Sequence, residues 1–571
     1  MDAGLLAVLA SPLVVLGLDR SWLFAYATST TGYIDPWVYF GFFLDLTQHI
    51  RTFKGAYFTT RLAWTVPGAI VYHFFPPLAA TYVLHLAVFY ASIVPLYLIL
   101  KVTVSRRAAM LAAIVMAFHS YFLWSVGWPY IDGAGNAYLL MTMAALTFAA
   151  RRQRNTGWLF AGGALAALMV YCQLFLIVLG PVLLGYYYFA RKQWGLLRSR
   201  AEWKPFGWGF VAVTAGFGLF NMAVNGRFFF FANAVGTAAK LMVHHNPYVD
   251  STYGWLWHSP WLVLPVMVLA GAIAGLKERG ADADRRFESF WLRFYVVAAG
   301  ILLLFQLIGQ PILQQVGYAS YLLPGAFLGL GGLLGTVTNA WSRWQFALVC
   351  GIVLGLLIVA LVWPVDSRMT LQLRGHSMLV PLVLGVAGLV GITRIQTSVF
   401  RAQASSAGAV VVFALGVAVL NAATGTRMLE HGELPNDAAS QKAALLAIVD
   451  SAQTVKCFDP QGNLYFWYDA EGRLGKVFRA VASTYLWAYR LESENFPNLG
   501  AKRPPLGRKI VILAEDGERA LAEGQASLAQ AGLTARVAAR RTIREGPFAW
   551  EMAELEVTRP ESRALGPGKD P

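Results

Sequence analysis

Two aspartates of this chain stand in closely similar settings and could act in proton transfer. Asp35 lies in TGYIDPWVYF (residues 31–40) and Asp132 lies in GWPYIDGAG (residues 127–135), each directly after Tyr-Ile. An ionised carboxylate can take a proton from a hydroxyl group that lies within hydrogen-bond reach. Asp35 also precedes Pro36, so it is well placed to cap a helix that starts there. The sequence leaves both interpretations of Asp35 open, a general base or a helix cap.

Basic and aromatic residues accompany these acids and could hold a phosphate group. Arginine and lysine donate charge-assisted hydrogen bonds to phosphate, but each could equally be an anchor at the membrane interface. The candidate substrate-binding residues are Lys54, Tyr57, Arg61, Arg227, Lys240, His244 and His245. A metal site at the adjacent histidines is disfavoured, since neighbouring histidines rarely ligate one ion. No metal and no other cofactor is therefore indicated.

The composition indicates a membrane protein. Of 571 residues, 57% are hydrophobic and only 13% are charged, whereas a soluble domain carries about 25% charged residues. The three cysteines provide no disulfide framework and no CxxC pair. Apolar runs long enough to cross a bilayer predict thirteen transmembrane helices, near residues 3–18, 78–100, 108–124, 134–150, 157–171, 173–190, 207–224, 260–276, 289–309, 319–338, 344–363, 377–393 and 407–423.

The charge pattern predicts which loops face the cytoplasm. Residues 1–423 carry 27 Lys and Arg against 12 Asp and Glu, and residues 424–571 carry 19 of each, so the net charge of +15 belongs to the apolar part. Alternate loops of that part hold 18 and 8 basic residues, respectively. By the positive-inside rule the richer set is cytoplasmic, which accounts for the charge without nucleic-acid binding. The N-terminus is then inside and residues 424–571 are outside.

The last segment predicts a small extracytoplasmic α/β domain. Residues 507–516 and 533–543 read as strands around a helix at 516–531, and 548–558 alternates like the return strand of a hairpin. The predicted domains are thus a membrane domain, residues 1–423, and an outer domain, residues 424–571. The aromatic stretches at 463–469 and 483–489 are either core or a face that packs on the membrane mouth.

The first predicted outer loop should contain a helix that lies in the membrane interface. Residues 36–50, PWVYFGFFLDLTQHI, combine aromatic residues with polar ones. We expect the aromatic side chains to face lipid, and Asp45, Gln48 and His49 to face water. Asp35 and Asp132 would both lie at the outer membrane surface, where buried acids usually serve a site.

This arrangement resembles the GT-C membrane glycosyltransferases. The residues YIDPWVYFGF and YFTTRLAW (57–64) carry most of the likeness, and it extends as architecture over residues 1–423. The nearest families are the aminoarabinose lipid A transferases and the protein O-mannosyltransferases. Those families often place Glu after the acid, where this chain has Pro36, so the sugar and the acceptor stay open.

The resemblance implies an inverting transfer of a sugar from polyprenyl phosphate to an acceptor hydroxyl. It makes Asp35 the base, Asp132 the residue that orients a substrate, and the basic residues the ligands of the phosphate. The acceptor would be an envelope glycan, a lipid or a protein at the outer face of a bacterial inner membrane. Three alternatives remain: a lipid-linked glycan flippase or transporter, a polymerase or ligase that uses polyprenyl-diphosphate glycans, and a non-catalytic envelope scaffold. No internal repeat of the kind found in many transporters is evident.

Overall fold

The computed structural model describes the larger part of the apolar region and most of a C-terminal sheet. The described residues are 2–18, 35–54, 56–127, 130–153, 155–196, 203–243, 286–308, 313, 316–362, seven positions between 411 and 422, 464–468, 492–495, 506–507, 509–545 and 548–558.

Helices make up the described part of the apolar region. They are α1 (Ala3–Leu18), α2 (Asp35–Leu44), α3 (Leu46–Thr52), α4 (Leu62–Phe74), α5 (Pro77–Thr103), α6 (Arg106–Ala117), α7 (Ser120–Gly127), α8 (Ile131–Arg151), α9 (Thr156–Cys172), α10 (Gly180–Gln193), α11 (Lys204–Asn225), α12 (Ala232–Val243), α13 (Arg286–Leu307), α14 (Val316–Ala319), α15 (Leu323–Thr338) and α16 (Arg343–Val362). Short 3₁₀ helices at Tyr57–Thr60, Leu174–Leu179 and Ser320–Leu322 join some of them.

Six stretches of the described helices are long and apolar enough to cross a membrane. Helices α6 and α7 together make a further span with a bend of 62° between them, and α1, α9 and α16 are shorter apolar helices. These helices fall where ten of the spans were predicted. The predicted spans at 260–276 and 377–393, and most of 407–423, lie outside the described residues, so the count of about thirteen is not confirmed.

Residue contacts divide the chain into two units. The first comprises the described parts of Met1–Leu23, Phe53–Pro67 and Tyr82–Glu430, and the second those of Phe24–Thr52, Gly68–Thr81 and His431–Pro571. The split into residues 1–423 and 424–571 follows hydropathy alone and stays a prediction.

In the first unit, basic side chains tie together the helix ends that the charge pattern places in the cytoplasm. The Asp2 carboxylate accepts from Lys101 at 2.5 Å, and the hydrogen bond from Lys101 holds the pKa of Asp2 well below its usual range. Arg107 donates to the carbonyl of Thr338 at 3.0 Å, and Arg191 donates to that of Arg152 at 2.7 Å. These bonds join the end of α5 to the start of α1, the end of α15 to the start of α6, and the ends of α8 and α10 to each other. The opposite end of α8 carries Asp132.

The expected interfacial helix at residues 36–50 is wrong in two respects. It is divided into α2 and α3 at Asp45, whose carboxylate accepts from the backbone N–H of Gln48 at 3.1 Å and so caps α3. The aromatic side chains that were expected to face lipid are instead buried in protein, namely Tyr39, Phe40, Phe42 and Phe43. His49, expected in water, is 1% exposed.

Packing explains this burial. The edge of Phe40 meets the Tyr72 ring at a centroid distance of 5.4 Å, and Phe43 lies 5.2 Å from the same ring. His49 donates from Nδ1 to the carbonyl of Asp45 at 2.9 Å. Burial lowers the pKa of His49 to about 4, so the imidazole is neutral at physiological pH.

In the described C-terminal residues, five strands form one sheet in the order β2-β1-β3-β5-β4. Its strands are β1 (Leu464–Tyr468), β2 (Glu492–Asn495), β3 (Lys509–Ala514), β4 (Thr534–Glu545) and β5 (Phe548–Thr558), with helix α17 (Gly517–Gln530) between β3 and β4. Strands β1, β2 and β3 are parallel, and β4 and β5 form the antiparallel hairpin that the alternation predicts. Ile510, Ile512 and Leu555 pack in one core with Leu528 of α17. The strands, helix and hairpin predicted over residues 507–558 are confirmed, and the stretch 483–489 lies outside the described residues.

Candidate active site

Helix α8 carries Asp132 in its first turn, at the opposite end of the helix from Arg151. The Asp132 side chain is 2% exposed. Among the described residues, neither carboxylate oxygen has a hydrogen-bond partner of normal geometry. The start of a helix favours a negative charge, because its first N–H groups point outward. A buried carboxylate is costly unless other groups bind it, which makes Asp132 the leading site residue of this unit.

Arg61 lies near Asp132 and is held in a fixed orientation. Its guanidinium carbon lies 4.8 Å from the centroid of the Tyr57 ring and 5.4 Å from that of Tyr130. Its Nη1 donates to Tyr130 Oη at 3.2 Å, and its Nη2 donates to Gln173 Oε1 at 3.4 Å. The side chain is 8% exposed and acts electrostatically on the Asp132 carboxylate. Two tyrosine rings and two hydrogen-bond acceptors thus hold the Arg61 guanidinium near Asp132.

The turn after α9 positions Gln173 for this role. Helix α9 ends at Cys172 and a 3₁₀ helix starts at Leu174, so Gln173 sits at the break with extended backbone. Cys172 donates from Sγ to the carbonyl of Ile131 at 3.3 Å, which fastens the end of α9 to the start of α8. The break therefore brings a neutral amide and the Asp132 turn to the same place.

A segment before α15 covers the face of α8 that carries Asp132. Asn136 donates from Nδ2 to Ser320 Oγ at 3.0 Å. Tyr321, which is 2% exposed, lies against Gly135 and interacts with the Asp132 carboxyl group. Three regions that are distant in sequence therefore meet at Asp132: residues 57–61, residue 173 and residues 320–321.

In the described part of the structure, no other predicted substrate-binding residue acts electrostatically on Asp132 as Arg61 does. Lys54 is exposed and Tyr57 is half-buried in the 3₁₀ helix before Arg61. Helix α12, which carries the exposed Lys240, packs against that 3₁₀ helix. Arg227 is exposed, and its carbonyl accepts from Asn221. The chain thus gathers Tyr57 and Arg61 near Asp132, with the helix of Lys240 beside Tyr57.

Three predicted residues have no described side chain. His244 and His245 lie outside the described residues. Helix α2 begins at Asp35, but the side chain of Asp35 is not among those described, so both its capping role and its role as a base stay predictions. Within the described part of the chain, no group of three or more His, Cys, Asp and Glu side chains could hold a metal ion.

Sequence reasoning missed the residues that hold the site together. Tyr130 belongs to the quoted YID motif, but its role depends on Arg61, which is 69 positions away in the chain. Gln173 is a lone amide between two apolar runs, and that isolation was a usable signal. Tyr321 follows Ser320 near the start of an apolar run, where an aromatic residue is ordinary.

Comparisons with known proteins agree with the expected class over part of the chain. The family model described as dolichyl-phosphate-mannose-protein mannosyltransferase matches residues 74–218. That range includes Asp132 and Gln173 but not Asp35 or Arg61. No curated protein matches the sequence.

Solved membrane glycosyltransferases are similar at low identity. ArnT from Cupriavidus metallidurans bound to undecaprenyl phosphate is 14% identical, with 95% of this chain and 97% of that chain covered and a TM-score of 0.48. The oligosaccharyltransferase of Archaeoglobus fulgidus in its apo form is 14% identical, with 84% and 64% covered and a TM-score of 0.43. At TM-scores below 0.5 these likenesses settle neither fold nor function. The family model confirms the expected resemblance, and the chain is similar, over residues 74–218, to the protein mannosyltransferases among the GT-C membrane glycosyltransferases.

Proposed function

We propose that this protein is an inverting glycosyltransferase that takes its sugar from a polyprenyl-phosphate lipid. The observation that carries the proposal is the buried Asp132 carboxylate in the first turn of α8, beside an arginine fixed by two tyrosine rings. A carboxylate can bind or orient a hydroxyl group, and a guanidinium can bind a phosphate. Both groups lie at one end of the helices rather than halfway along them.

The proposed reaction needs a base and a stabilised leaving group. The acceptor hydroxyl attacks the anomeric carbon while its proton passes to the Asp35 carboxylate, and the bond from that carbon to the phosphate oxygen breaks. The bonding electrons leave with polyprenyl phosphate, whose charge Arg61 stabilises, with Lys54, Lys240, Arg227, His244 and His245 as further candidates. Asp132 orients the donor or the acceptor. No nucleotide takes part, because the lipid phosphate already activates the sugar.

The topology proposed for this reaction follows the loop charges. The N-terminus lies in the cytoplasm, and the Asp132 end of the first unit lies at the outer face of a bacterial inner membrane. The C-terminal α/β domain lies outside and serves the acceptor, which is an envelope glycan, a lipid or a protein. Lys101, Arg107 and Arg191 lie at the other helix ends and form hydrogen bonds there. This supports the assignment, because positive residues collect at cytoplasmic helix ends.

Transport is the principal competing function. A flippase would move the lipid-linked sugar intact, and its polar residues would be expected near mid-membrane. Asp132 instead lies in the first turn of α8. A polymerase or ligase would use a diphosphate-linked glycan. Comparing turnover of monophosphate-linked and diphosphate-linked donors therefore distinguishes it from the proposed transferase.

The test uses the full chain in nanodiscs and in sealed vesicles. Polyprenyl-phosphate sugars carrying a labelled sugar are supplied with envelope extract as the acceptor source. Release of polyprenyl phosphate together with label in a new product supports transfer. Uptake into vesicles without turnover would support transport, and turnover only with diphosphate-linked glycans would support a polymerase or ligase.

A further inference from the structure

One face of α8 is covered by the segment that precedes α15. Asp132, Gly135 and Asn136 are spaced i, i+3 and i+4, which places them on one side of a helix. Asn136 donates to Ser320 Oγ at 3.0 Å, and Ser320 Oγ donates to the carbonyl of Gly317 at 2.6 Å. The segment is therefore fixed to α8 one turn away from Asp132.

Gly135 allows the Tyr321 ring to lie directly on this face. A Cβ atom at position 135 would lie 2.6 Å from Tyr321 Oη and 2.7 Å from its Cε1, so any side chain there would displace the ring. The Phe175 ring meets Tyr321 edge-on, at a centroid distance of 5.2 Å and an angle of 88°. The ring is thus held against α8 and Phe175, with its hydroxyl beside Gly135, one helical turn from Asp132.

Both polar groups are buried and lack other partners among the described residues. Asp132 and Tyr321 are each 2% exposed, and neither the carboxylate oxygens nor the phenol oxygen makes a hydrogen bond of normal geometry there. Leaving a buried donor or a buried acceptor without a hydrogen bond destabilises the folded protein. The phenol hydrogen of Tyr321 can rotate towards the Asp132 carboxylate and form such a bond.

We propose that Tyr321 is a positioning residue that acts through Asp132. Its hydroxyl donates to one oxygen of the Asp132 carboxylate and so leaves the other oxygen directed at the substrate. This inference rests on the proposed function, because it assigns Tyr321 a part in the same transfer. A carboxylate fixed in this way binds its substrate in one orientation, on which the transfer rate depends strongly.

A double-mutant cycle tests this role. Tyr321→Phe removes only the hydroxyl, Asp132→Asn removes the carboxylate charge, and Tyr318→Phe is the matched control, since the Tyr318 ring also meets Phe175, at 5.9 Å. We expect Tyr321→Phe to lower kcat/KM by about 10- to 100-fold, the usual effect of losing a hydrogen bond to a charged group. Tyr318→Phe should change it by less than about threefold, which is under 1 kcal/mol.

Coupling distinguishes positioning from mere packing. In the Asp132→Asn background, Tyr321→Phe should have almost no further effect on kcat/KM, because the carboxylate whose orientation the hydroxyl fixes is gone. An equal loss in both backgrounds would overturn the proposal, as would an undiminished rate for Tyr321→Phe with wild-type Asp132.

An infrared measurement tests the contact without any turnover. Difference spectra of wild-type protein against Asp132→Asn should contain a tyrosine C–O band that moves when the tyrosine rings carry ¹³C. Absence of that band would overturn the proposed hydrogen bond, even if transfer is observed. If wild-type protein does not transfer sugar at all, the proposed function is wrong, but the infrared spectra still show whether Tyr321 and Asp132 are hydrogen-bonded. This measurement needs no Tyr321 variant to fold.

Discussion

Replacing Arg61 with lysine isolates what the geometry of the guanidinium contributes. Lysine keeps the positive charge but has a single nitrogen at its tip, so it cannot lie between the Tyr57 and Tyr130 rings and also reach Tyr130 Oη and Gln173. If charge alone is sufficient for binding the leaving phosphate, Arg61→Lys should be nearly neutral. If orientation is needed, the substitution should reduce transfer strongly.

The expected loss follows from the contacts that lysine gives up. Two hydrogen bonds contribute roughly 1 kcal/mol each, and a cation–π contact contributes about 0.5–1 kcal/mol. Contacts of one side chain are not additive, so we expect about 2–3 kcal/mol in total to be lost from the positioning of the cation. That corresponds to a fall in kcat/KM of about 30- to 150-fold. The fall should be mainly in kcat, because the phosphate gains its full charge only as it leaves.

The assay is steady-state release of polyprenyl phosphate by protein in nanodiscs. Arg51→Lys is the matched control, since Arg51 is an exposed arginine of α3 in the same predicted outer loop. Melting curves of the three proteins should coincide within a few degrees if the effect is catalytic. An Arg61→Lys enzyme with at least a third of wild-type kcat/KM would refute the reasoning, because a point charge would then suffice.

Two further predictions concern the fold. At the crossing of α9 and α11, a Cβ at Gly163 would lie 1.8 Å from the carbonyl oxygen of Phe206. Gly163→Ala should therefore destabilise the protein by about 1–3 kcal/mol in a detergent melt; Gly157→Ala, which meets nothing within 4 Å, should not, and equal melts would contradict the packing. Because burial lowers the pKa of His49 from 6.5 to about 4, the unfolded chain binds the proton more readily. The free energy of unfolding should be highest above pH 6.5 and fall by up to about 3 kcal/mol as the pH drops towards 4. If the melting of His49→Gln keeps the full pH dependence, His49 is not its source.

The helices of the apolar region and the part of the sheet over residues 507–558 were predictable because their signals are local. Hydropathy over about twenty residues marks a span, and two-residue alternation marks the strands of the β4–β5 hairpin. The environment of residues 36–50, in the first predicted outer loop, was misjudged for a physical reason. Lipid and a protein core both accept aromatic side chains, so the residues around Phe40 could not indicate which of the two surrounds them.

The site was predictable in its charges but not in its supports. Asp132 and Arg61 stand out because charged residues are rare among apolar runs. Tyr130, Gln173 and Tyr321 have ordinary residue types, and only tertiary contacts bring them to Arg61 and Asp132. Nothing within a short window of sequence reports such contacts.

The central claim is that a carboxylate in the first outer loop removes the acceptor proton during sugar transfer. The most direct measurement is a single-turnover experiment with Asp35→Asn and a labelled polyprenyl-phosphate sugar, with donor binding measured on the same sample. Asparagine caps a helix about as well as aspartate, so a role in capping α2 alone predicts a near-normal rate. If Asp35 is the base, the variant folds and binds donor but transfers at least about a hundredfold more slowly, the usual effect of losing a general base. Transfer by Asp35→Asn at close to the wild-type rate would show that Asp35 is not the base.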